Sequence, residues 1–198
     1  MKNKTLLVFV VITSLINIAF IVFGILYGLN GYKQPYIALF ITMFILAYNL
    51  DARIIVSIIC NIFKKRINIE KKKYKISNKE YKILSKLKID YWKNHFITMF
   101  KHQFEFNSTN RKERIKIILK NNINAEIIHF ICFFVGLLAI PLGYLLSKEE
   151  LLIYIITSLL GSLLFDLPPI LIQRYNRYRL YQLKFKLDKK ESKIQYNL

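Results

Sequence analysis

The chain has 198 residues, 54% of them hydrophobic, with 31 Lys and Arg against 12 Asp and Glu and a formal net charge of +19. A water-soluble core cannot hold that much apolar surface beside so many charges unless the two are kept apart along the chain. Here they are: apolar residues fill 6–28, 37–63, 127–146 and 151–172, and nearly all the charge lies between or after these runs.

The pattern predicts an all-α, polytopic integral membrane protein of about four transmembrane helices, with a basic loop region and a basic C-terminal tail in the cytoplasm. The positive charge flanks the spans, where membrane potential and anionic lipid account for it, so membrane lipids rather than nucleic acid are read as partners. Cys60 and Cys132 fall in apolar runs and read as buried thiols, not as a disulfide framework.

The first run follows Lys2 and Lys4 and extends from Leu6 to about Leu29. It is too long for a signal peptide core and has no small-residue cleavage motif, so it reads as an uncleaved span. Tyr27, Tyr32 and Tyr36 cluster about the turn at Asn30-Gly31, as rings at headgroup depth do.

The second run is interrupted by Asp51-Ala-Arg53. Either one span runs from about Pro35 to Ile58, or the span ends near Asp51 and 54–63 lies along the interface. A membrane Asp signals function, but an interface charge fits equally well.

From 64 to 121 there are eighteen Lys or Arg and five acids. Ile83, Leu84, Leu87, Ile89 and Trp92 have helix-like spacing, and Phe96, Phe100, Phe104 and Phe106 follow. Such elements suit a membrane surface. Asn107-Ser-Thr-Asn110 reads as a turn and cap ahead of a helix from about Lys112.

The third span runs from about Glu126 to Leu146 and contains Pro141; Ser147 to Glu150 makes a short external loop. The fourth runs from Leu151 to about Gln173, broken at Asp166-Leu-Pro-Pro169. The predicted organisation is a membrane hairpin over 1–63, a basic region over 64–122, a second hairpin over 123–180 and a tail over 181–198. The positive-inside rule puts both termini and the basic region in the cytoplasm of a multi-pass cell-membrane protein.

Two polar clusters stand out at the membrane edge. Asn122, Glu126 and His129 are spaced four and three apart, on one helix face. An imidazole can take a proton from an alcohol, and Glu126 could hold its tautomer, so His129 and Glu126 are the candidate catalytic residues. An interfacial pair that only orients the helix is the alternative. In the second cluster, Asp166, Gln173, Asn176 and Arg177 fall near one face, within a stretch that also carries Arg174, Tyr175 and Arg179. Arginine forks suit carboxylates and phosphates, including lipid headgroups and the diphosphate of coenzyme A. A basic stop segment gripping lipid phosphate is the bland reading.

Together the clusters predict acyl transfer at the membrane face. An acyl-CoA or similar activated donor acts as co-substrate, and an amphiphilic alcohol is the acceptor. No bound cofactor is expected, and one His without neighbouring Cys or further His makes zinc a poor fit. A non-catalytic membrane or lipid-organising protein, or a small transporter using Asp51 and Asp166, are the alternatives. Oligomerisation is left open.

The stretch DLPPILIQRYNRYRL at 166–180 resembles the end signature of the glycosyl-4,4'-diaponeurosporenoate acyltransferase family, matching at Pro168, Gln173, Arg174, Tyr175, Asn176, Arg177, Arg179 and Leu180. AEIIHF at 125–130 is similar to the family's Ala-Glu-Leu-x-His-Trp, and Tyr81, Leu84, Ile89, Trp92 and Lys93 resemble a further stretch. Asp166 stands where the family pattern tends to have Asn. The resemblance implies an integral membrane acyltransferase that esterifies the sugar of a glycosylated C30 carotenoid with a fatty acyl chain. On this reading Asp166, Gln173, Arg174, Tyr175, Asn176, Arg177 and Arg179, with Trp92 and Lys93, are candidate substrate-binding residues. A carotenoid glycoside or similar sugar lipid is the acceptor.

Overall fold

The computed structural model describes residues 2–31, 36–92, 110–146 and 151–196. It is all-α: helices α1 (Lys2–Leu29), α2 (Tyr36–Phe63), α3 (Asn78–Lys86), α4 (Ile89–Trp92), α5 (Arg111–Leu137), α6 (Ala139–Leu146), α7 (Leu151–Phe165) and α8 (Leu167–Tyr196), with no strand among the described residues. Lys93, Tyr32, the aromatic run from Phe96 to Phe106, the turn at 107–109 and the loop at 147–150 lie outside the described residues.

Four helical stretches are long and apolar enough to cross a membrane: Val10–Leu29, Tyr36–Arg66, Arg111–Leu145 and Leu151–Lys189. Solvent exposure explains why lipid must surround them. Leu7, Leu15, Ile18, Ile21 and Ile25 of α1 are all more than half exposed, as are Ile55, Ile58 and Ile62 of α2. Apolar side chains presented around a helix are stable in hydrocarbon and would aggregate in water. The second span is a single helix. α2 continues without a break through Asp51 and Arg53 to Phe63, and at 28 residues it is about 42 Å long, more than a hydrocarbon core requires.

Prolines set the breaks in the last two spans. Pro141 is the third residue of α6, and Pro168 and Pro169 fall in the first turn of α8. The N–H groups of a first turn have no intrahelical acceptor, so proline there starts a helix rather than damaging one. The chain therefore stops at Leu138 and Asp166 and begins again. At the first break the Val135 carbonyl accepts from Leu138 N at 3.1 Å and from Tyr48 Oη at 2.9 Å. A neighbouring side chain thus serves backbone that water cannot reach.

The chain divides into two compact units. The first comprises 1–59 and 128–168. Its core is Ile41, Ile45, Ala139 and Tyr154, flanked by Phe40, Phe44 and Tyr48. Phe20 and Tyr27 of α1 each stack on Phe40 with ring centroids 5.5 Å apart. Gly136 lets α5 approach its neighbours. A Cβ there would lie 2.6 Å from both Asn49 Oδ1 and Ser162 Oγ. In the same way Gly143 of α6 has the ring of Tyr154 against its Cα.

The second unit comprises 60–127 and 169–198. Its core is Leu84, Ile89, Ile172 and Tyr175, with Tyr81 and Leu171 beside them. The apolar spacing of 83–92 resolves into two short helices, because α3 closes at Leu87 and Lys88 turns the chain at a φ of 51°. Leu84 and Ile89 are buried while Ile83 and Leu87 remain exposed. Ser77 caps α3 by accepting from Glu80 N at 3.2 Å, and Asn110 caps α5 by accepting from Lys112 N at 2.9 Å.

Gly136→Ala should destabilise the protein by about 1–3 kcal/mol through overpacking. Gly161→Ala, where a Cβ meets nothing within 4 Å, should cause no loss. Thermal unfolding in detergent reads both, and equal midpoints would show that α5 does not pack through Gly136.

Candidate active site

Asp166 occupies the break between α7 and α8 in the first unit. Its backbone N–H donates to Ser162 O at 3.1 Å, which leaves the side chain free to face inward. That side chain has no solvent exposure. Burying a carboxylate costs several kcal/mol unless it is paired and hydrogen-bonded. Both oxygens are provided for: Arg53 Nη2 lies 2.7 Å from Oδ2, and His129 Nδ1 lies 3.1 Å from Oδ1. The guanidinium carbon of Arg53 also stands 5.3 Å over the ring of Phe165. Asp51, two residues before Arg53, takes a different partner and accepts from Asn17 Nδ2 at 3.2 Å.

The His129 contact determines a tautomer. An ion-paired carboxylate only accepts, so the imidazole nitrogen facing it carries the proton. Nε2 is then the basic nitrogen, and the His129 side chain keeps 26% exposure. Among the described residues no group of three or more His, Cys, Asp or Glu is placed to hold a metal ion. The arrangement is thus a proton acceptor oriented by a buried acid, which suits removal of a proton from a hydroxyl.

The second unit holds a separate polar cluster, built on the first turns of α8. Arg174 is shared between two carboxylates, with Nε 2.6 Å from Glu80 Oε1 and Nη1 2.8 Å from Glu126 Oε1. Arg177, only 2% exposed, pairs with the other oxygen of Glu126. Tyr175 donates from Oη to Asp90 Oδ2 at 2.5 Å, and Arg179 Nη1 reaches Asp90 Oδ1 at 3.3 Å. Gln173 accepts from Asn122, and Tyr178 donates to Asn78. Tyr81 stacks on Tyr175 and on Tyr178, at 5.2 Å and 4.0 Å between ring centroids. Asn176 is half-buried and makes no side-chain hydrogen bond among the described residues. Trp92 closes α4.

The carboxylate against His129 is therefore that of Asp166, while that of Glu126 goes to two arginines. Spacing along one helix allowed the Glu126–His129 pairing, but α8 offers Glu126 the stronger partners. Three further charged residues enter these clusters, Arg53, Glu80 and Asp90. Arg53 had a signal, being the one base inside the apolar run 37–63. Glu80 and Asp90 had a weaker one, as two of only five acids in a segment with eighteen bases.

Four helices long and apolar enough to cross a membrane define a polytopic membrane protein, and its first unit carries the buried His129–Asp166–Arg53 cluster. Residues 60–184 match the glycosyl-4,4'-diaponeurosporenoate acyltransferase family, and the chain belongs to that family. The membership supports an acyltransferase role. No curated protein and no solved structure matches the chain.

Glu126→Ala should cost about 3–5 kcal/mol, because it leaves the Arg177 charge buried without its partner. Arg179→Gln removes an ion pair whose side chains are 56% and 57% exposed, and should cost no more than about 1 kcal/mol. Unfolding in detergent compares the two. Similar losses from both would show that the Glu126–Arg177 pair is not buried.

Proposed function

We propose that the protein transfers a fatty acyl group from acyl-CoA, or a similar activated donor, to a hydroxyl of a glycosylated carotenoid or similar glycolipid. It does so in the cell membrane, with both termini and the basic segment on the cytoplasmic side, as the distribution of Lys and Arg favours. The observation that carries the reading is the His129–Asp166–Arg53 chain, together with membership of an acyltransferase family.

The acceptor oxygen attacks the acyl carbonyl carbon while its proton passes to His129 Nε2. The tetrahedral intermediate collapses, the carbon–sulfur bond of a thioester donor breaks, and the departing thiolate takes that proton back from Nε2. His129 ends as it began. Asp166 keeps Nε2 as the basic nitrogen and stabilises the imidazolium that exists between the two transfers. Arg53 acts through Asp166 as a positioning residue, holding its second oxygen. The donor is consumed as a co-substrate, so the reaction asks for no bound cofactor. A lipid acceptor reaches His129 from the hydrocarbon that surrounds the spans.

Purified protein in lipid, given labelled acyl-CoA and a glycosylated lipid acceptor, should form a labelled ester. His129→Ala should lower turnover about 10²–10⁴-fold, and so should His129→Gln, whose amide can still donate to Asp166 and so preserve the unfolding midpoint. Asp166→Ala should fall similarly, and so should Asp166→Asn, since one side of the amide is an NH2 that can accept from neither Arg53 nor Nδ1. Full turnover by His129→Ala would overturn its role as base, and no ester with any acceptor from a cell lipid extract would overturn acyl transfer.

A further inference from the structure

The second unit carries many more cations than acids. Arg174, Arg177, Arg179, Lys112 and Lys184 all have carboxylate partners within that unit. Many others, such as Lys71, Lys72, Lys75 and Lys86, make no ion pair among the described residues, and four such bases sit together. Lys65 and Arg66, in the turn after α2, and Lys116 and Lys120, in α5, line one open cleft of about 450 Å³.

None of these four makes an ion pair among the described residues, although Glu113 also lines the cleft. Arg66 stacks on Phe63 at 5.2 Å, and Lys120 Nζ donates to Lys65 O at 3.0 Å. The second bond ties the turn to α5 and fixes the two walls together. It supplies a dipole but no negative charge. Lys64 stands close enough for its own charge to work against that of Lys120. Four bases without an ion pair are thus gathered around one space.

Position narrows the ligand. Lys65 and Arg66 come two and three residues after the apolar run that ends at Phe63, and Lys116 and Lys120 lie about three and two helical turns before the run that begins at 127. These are the span ends where phosphate headgroups lie. Ile67, Ile69 and Ile117 add an apolar lining. We infer that this cleft binds a phosphate ester, carried either by an anionic lipid or by a phosphate-bearing acyl donor. The site goes beyond the acyl-transfer reading, because binding requires no turnover.

The test uses the full chain in phosphatidylcholine nanodiscs with two probes, labelled phosphatidic acid and coenzyme A. The wild type should bind at least one of them. Lys65→Gln with Lys116→Gln should weaken binding about tenfold to thirtyfold, as expected for two lysines near an anionic headgroup. Lys65→Arg with Lys116→Arg should keep it. Loss confined to phosphatidic acid identifies a lipid ligand, and loss confined to coenzyme A identifies the donor. His129→Ala should bind like wild type, so failure of acyl transfer and failure of this site are told apart. No binding of either probe by wild type, or equal binding by the glutamine variant at an unchanged unfolding midpoint, would overturn the inference.

Discussion

Asp166 is a carboxylate without solvent, and the polar interior of the first unit depends on how its charge is met. A buried anion needs both a counter-charge and hydrogen bonds, and no single neighbour supplies enough of either. Arg53 comes from α2 and His129 from α5, one to each oxygen. Three separate parts of the sequence are thereby drawn to one point. The break in the last span makes this geometry available, since the two prolines after Asp166 restart the helix and turn its side chain inward.

The same condition shapes the second unit with different residues. Arg177 is almost fully buried and takes Glu126, which also serves Arg174. Arginine suits such sharing because its fork can meet two acceptors at once. The aromatic residues between these arginines stack on Tyr81, and Asp90 receives both Tyr175 and Arg179. The motif at 173–179 is therefore a clasp that holds α3 and α4 to α8. Its density in donors reflects the number of short elements it secures.

Much of the architecture was legible because membrane helices are set by local composition. A run of apolar residues must form its own hydrogen bonds in hydrocarbon, so four such runs mean four spans. The cap at Asn110 and the proline break at 166–169 were equally local. The course of α2 through Asp51 and Arg53 was not. Two charges in an apolar run read equally well as the end of a span or as buried polar residues, and the difference lies in partners more than thirty residues away.

Sequence by itself determined that the chain is helical, that four of its segments are long and apolar enough to cross a membrane, and what family it resembles. Each follows from residue type, order or short-range spacing. Tertiary structure alone decided which acid meets His129, that Arg53 completes that pair, and that the motif's arginines are neutralised within their own unit. Ion pairing in low dielectric depends on distance and burial. Glu126, three residues from His129, binds Arg174 and Arg177, whereas Asp166, thirty-seven residues away, is the one that orients the imidazole.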